Sequence, residues 1–113
     1  MNPTKFSRNV DGSSVGLVHW QWGSRRTLAV TETASRSVDP LDGHIVYVET
    51  DVPCHLRFGG TGVAADASDP VLKPGAVYAM PRAHGETHLS VLSKVAGTTG
   101  TVEFWQADTF HEA

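Results

Sequence analysis

Pro53–Met80, PCHLRFGGTGVAADASDPVLKPGAVYAM, decides the fold. Cys54-His55-Leu56-Arg57-Phe58 alternates, with Cys54, Leu56 and Phe58 on one face and His55 and Arg57 on the other. That period of two is the mark of a strand with one buried side. Gly59-Gly60 ends it, and a small, polar Gly/Ala/Asp/Ser connection follows. Pro74-Gly75 turns the chain into a second run, Ala76–Met80, in which Val77 and Ala79 oppose Ala76, Tyr78 and Met80. The stretch reads as strand, long surface loop, tight turn, strand, with Val77 facing the core.

The same grammar extends outward in both directions. Val15–Trp22 alternates, with Val18, Trp20 and Trp22 on one face and Leu17, His19 and Gln21 on the other. Gly23-Ser24 is a turn, and Thr27–Thr31 puts Leu28 and Val30 inward. Glu32–Gly43 reads as a connection with a short strand around Ser37–Leu41. His44–Thr50 is dominated by β-branched and aromatic residues. Asp51-Val52-Pro53 reads as a hairpin link into Cys54–Phe58. Beyond Met80, Thr87–Ser93 places Leu89 and Val91 together, Ala96–Gly100 reads as a hairpin, and Thr101–Gln106 sets Val102 and Phe104 against Glu103 and Trp105. Seven to eight short strands at regular spacing predict an all-β fold, an antiparallel β-sandwich of jelly-roll or Ig-like type. The expected core is Leu28, Val30, Val46, Val48, Leu56, Phe58, Val77, Leu89, Val91, Val102 and Phe104. Residues 1–14 read as a polar arm, 15–106 as a single sandwich domain and 107–113 as a short polar tail.

With 113 residues, the chain has the length of one domain. A net charge of −3 and a pI near 6.0 argue against nucleic acid as a partner, since phosphate binding calls for a basic patch. One cysteine, Cys54, excludes an internal disulfide. The opening MNPTKFSRNVDGSS lacks the apolar stretch of a signal peptide, and no segment approaches the ~20 apolar residues of a membrane helix. The expectation is synthesis in the cytoplasm, without membrane association.

No stretch carries a catalytic signature. His84-Gly85-Glu86-Thr87-His88 offers two imidazoles and a carboxylate, but residues four apart on a strand stand about 13 Å apart, too far to share an ion. A cupin-like metal site would also need a His-x-His pair, which this chain does not have. Gly59-Gly60-Thr61-Gly62 lacks the Lys-Ser/Thr of a phosphate loop. Cys54 reads as a small buried hydrophobe. No cofactor is expected. Trp20 and Trp22 suit either the core or an exposed platform for a sugar or a protein partner. Trp105 falls opposite Val102 and Phe104, so one face must leave large aromatics partly exposed, which a protein interface would cover. The candidate interface residues are Phe6 and Val10 on the arm, together with Trp20, Trp22, Arg57 and Trp105.

Five segments in succession carry a resemblance. They are Thr27–Thr31 (TLAVT), Asp51–Gly59 (DVPCHLRFG), Asp69–Gly75 (DPVLKPG), Thr87–Val91 (THLSV) and the Gly-Thr turn and last strand of Gly97–Gln106. Over residues 27–106 this order resembles a family of small structural proteins of tailed bacteriophages. The resemblance implies a non-enzymatic β-sandwich virion component, and the favoured type is a capsid decoration (cement) protein. Its implied partners are the major capsid protein or other virion proteins and further copies of itself, as a trimer, on the capsid surface. Neck or tail adaptors and fibre-base proteins are the alternatives within the virion. A small cupin-like metal- or glycan-binding module is the alternative outside it.

Overall fold

The computed structural model describes residues 16–111. They form nine β-strands and no helix: β1 (Gly16–Trp20), β2 (Arg26–Val30), β3 (Ser35–Arg36), β4 (Ile45–Thr50), β5 (Cys54–Gly59), β6 (Val71–Leu72), β7 (Val77–Pro81), β8 (His88–Ser93) and β9 (Gly100–His111). The strands make two antiparallel sheets packed face to face, so the all-β sandwich stands. The larger sheet runs β1-β9-β4-β7, with β2 also on β9, and the smaller runs β3-β8-β5-β6.

The pairings are nested. β2 pairs with β9, β3 with β8, β4 with β7 and β5 with β6, all antiparallel. The chain is thus one long hairpin, doubled at the β5–β6 loop and rolled so that its arms alternate between sheets. This is the connectivity of a jelly roll, and it excludes the Ig-like alternative. The stretch Pro53–Met80 is the tip of that hairpin.

Rolling explains where the sequence misleads. Asp51-Val52-Pro53 and Ala96–Gly100 are not hairpins, because each carries the chain from one sheet to the other. The strand expected around Ser37–Leu41 lies instead at Ser35–Arg36. The two-residue β6 is too short to show a period. The last strand runs on to His111, five positions beyond the expected end at Gln106. β1 and β2 both need a partner on the same side of β9, and β1 takes its far half, Ala107 to His111.

The core between the sheets is Val30, Val46, Val48, Val102 and Phe104 from the larger sheet and Cys54, Leu56, Leu72, Leu89 and Val91 from the smaller, with Leu41 beside them. Leu28, Val52, Phe58, Tyr78 and Met80 pack around it. Burying each large aliphatic side chain contributes about 1.5–3 kcal/mol relative to exposure. Val77 is a correction: it is 52% exposed. In register, Tyr78 faces Val48 and Met80 faces Val46. Because both valines point inward, the alternate set Val77 and Ala79 points out.

The two outer faces differ. The smaller sheet is covered by the chain's own β5–β6 loop. The Ala65 amide donates to Ser90 Oγ at 2.9 Å, His55 Nδ1 donates to the Asp69 carbonyl at 2.8 Å, and Arg57 lies 3.8 Å from Asp66 and 3.6 Å from Asp69. As a result His55 and Ser90 are buried although they sit on an outward face. No such cover lies over the outer face of the larger sheet among the described residues.

Candidate functional site

The uncovered face carries an aromatic band. On β9 the inward set is Val102, Phe104 and Gln106, so Glu103 and Trp105 point out. On β4 the same alternation sends Tyr47 and Glu49 out. The β4–β9 register places Tyr47 opposite Trp105 and Glu49 opposite Glu103. The Tyr47 and Trp105 rings stack, with centroids 5.8 Å apart and planes 5° from parallel. Trp20, at the end of β1, meets both at a steep angle, 5.4 Å from Tyr47 and 5.6 Å from Trp105.

The β1–β2 turn adds the fourth ring. Trp22 stands 5.8 Å from Trp20 and is 79% exposed. Gly23 follows it with φ of +84°, a conformation that side-chain-bearing residues rarely adopt. The turn is fastened to β9 at both ends: the Gln21 amide donates to the Gln106 carbonyl at 2.9 Å, and the Gln106 amide donates to Ser24 Oγ at 3.1 Å. These bonds fill the gap between the β1 and β2 pairings and hold Trp22 outward.

Beside the rings lies a depression of about 440 Å³ whose lining includes Trp20, Trp22, Trp105, Arg25, Glu49 and Glu103. Arg25 Nε donates to Glu103 Oε1 at 2.8 Å. That hydrogen bond holds the Glu103 carboxyl below the ordinary glutamate range and raises the Arg25 guanidinium further. Glu49 has no ion-pair partner among the described residues. Trp105 Nε1 is buried with no acceptor among the described residues. An unmet buried donor costs about 1–3 kcal/mol, a cost that phenylalanine would avoid.

Of the candidate interface residues, Trp20, Trp22 and Trp105 therefore come together. Arg57 does not join them: it sits on the outer face of the opposite sheet, tied to the β5–β6 loop. Phe6 and Val10 lie outside the described residues. The sequence reading missed Tyr47, Glu49, Arg25 and Glu103 as members. The alternation of β4 between Val46 and Val48 marks Tyr47 as outward, but only the register reveals its neighbour. The histidines singled out earlier are dispersed, with His84 in an exposed turn and His88 buried against Thr87 Oγ1 at 2.9 Å. Among the described residues no three His, Cys, Asp or Glu side chains are grouped to hold a metal ion.

No protein family, curated protein or solved structure matches the chain.

Proposed function

We propose that this protein is a non-enzymatic structural component of a tailed-bacteriophage virion, a capsid decoration protein that binds the shell of major capsid protein as a homo-oligomer, a trimer. The observation that carries the reading is the aromatic band Trp22–Trp20–Trp105–Tyr47, which no described segment covers, while the other outer face is lidded by the protein's own loop. Clustered indole and phenol rings anchor protein interfaces far more often than they decorate free surface. The motif order over residues 27–106 supports a virion setting. The jelly-roll connectivity agrees with it as an analogy of fold, one shared with lectins and cupins. Many weak contacts on one shell add through multivalency, so no single contact need be strong.

The test is co-sedimentation of the purified protein with expanded capsids, and separately with tails, of the phage that encodes it, alongside its mass in solution. The reading expects capsid occupancy that is lost in Trp20→Ala/Trp22→Ala while the fold, followed by far-UV circular dichroism, persists. Binding to tails alone moves the protein to the neck, tail or fibre base. A monomer that binds neither particle refutes the virion role.

A further inference from the structure

We infer that the aromatic cleft receives a cationic side chain, an arginine guanidinium or lysine ammonium, presented by the partner protein. The inference rests on the reading of this face as a docking surface and names the chemistry of what docks. Glu49 and Glu103 stand directly opposite each other on β4 and β9, and like charges so placed repel. Arg25 answers one of them at 2.8 Å. The three charged residues lining the cleft, one positive and two negative, leave a charge of −1.

That remainder constrains the partner. A surface that fills this depression meets Glu49 together with Trp20 and Trp105, since all three line it. Burying an unpaired carboxylate is strongly unfavourable, so a purely apolar partner would lose at Glu49 what it gained on the rings. An anionic partner would add to the repulsion. A cation satisfies both parts of the site: the carboxylate pairs with it, and the negative faces of the indoles attract it. A guanidinium fits best, since its plane can stack on Trp20 or Trp22 while its N–H groups reach a carboxylate.

The experiment follows the indole N–H signals of Trp20, Trp22 and Trp105 by NMR while arginine amide, acetylated on its α-nitrogen so that the guanidinium is its sole charge, is added, with the likewise acetylated citrulline amide as the neutral isostere and N-acetylglucosamine as a sugar. Arginine amide is expected to shift these signals saturably, with half-saturation in the roughly 10–100 mM range of a single exposed contact. Citrulline amide is expected to do so only weakly, and Glu49→Gln to weaken the arginine response about two- to fivefold. Equal responses to arginine and citrulline, a response to the sugar alone, or no response to any of them overturns the inference. Capsid co-sedimentation of Glu49→Lys, in parallel, separates the two readings. If arginine amide binds but capsids do not, the cation site stands and the virion role falls. If capsids bind the parent and Glu49→Lys equally and arginine amide shifts nothing, the virion role stands and the cation site falls.

Discussion

Gln106 holds Gly43 against the larger sheet: its buried Oε1 accepts the Gly43 amide at 2.7 Å and the Asp42 amide at 2.8 Å. A Cβ on Gly43 would lie 2.8 Å from the Gln106 Cβ, so the contact leaves no room for a side chain. Gln106 also anchors the β1–β2 turn through its main chain, so one residue positions both the approach to β4 and the turn bearing Trp22. Gln106→Leu keeps the volume and removes the acceptor. The expected loss is about 1–3 kcal/mol, from two amides left unpaired. Urea unfolding should show a lower midpoint with an unchanged slope.

Phe104 and Val77 were both expected in the core, and only one is there. Phe104→Ala should cost about 3–5 kcal/mol, because the ring is enclosed between the sheets. Val77→Ala should change stability by no more than about 0.5 kcal/mol, because its side chain faces out. Equal losses in urea unfolding would mean that the β7 register is displaced by one residue.

What the sequence disclosed and what it withheld divide along the physics of a rolled hairpin. Alternation within a strand is local, so the inward sets of β2, β4, β5, β8 and β9 were legible, as was the opposition of Trp105 to Phe104. The face of β7 was not legible, because Val77 and Ala79 look as apolar as Tyr78 and Met80 until Val46 and Val48 are placed beside them. Links that cross between sheets are no longer than hairpin turns, so Asp51-Val52-Pro53 gave no sign of its crossing. The aromatic band joins residues from three strands separated by long stretches of chain. Each tryptophan was visible alone, while their meeting with one another and with Tyr47 depended on pairings that only the fold supplies.

The β5–β6 loop should loosen in acid. Asp66 accepts from the Ser68 hydroxyl and amide, and these bonds hold its carboxyl below the ordinary aspartate range, with nearby Arg57 acting in the same direction. A folded-state value below the unfolded one means that the tie contributes above the ordinary aspartate range and is lost as pH falls through the lowered value. NMR titration of the Ser68 amide should follow this lowered midpoint. In Ser68→Ala the midpoint should rise towards that of a free aspartate, and an unchanged midpoint would remove Ser68 as the cause.

Cys54 should resist thiol reagents in the folded protein. Its side chain is fully buried in the core, and burial pushes its thiol above the ordinary range, which leaves little thiolate to react. A chromogenic disulfide should therefore label it at the rate of unfolding and at full speed in denaturant. Rapid labelling without denaturant would show that the core around Cys54 opens on its own.

β9 bears on the order of events as well as on the shape. Its twelve residues give β1 and β2 their pairings and β4 one of its two. On a ribosome all three strands emerge before it. Until Gly100–His111 is free, Trp20 and Tyr47 have no Trp105 to meet, and β1 has no edge to join. Such distant pairings are slow to form because the chain between them must first be gathered in. A nascent or truncated chain lacking this strand therefore cannot assemble the aromatic band, which closes only when Gly100–His111 has taken its place.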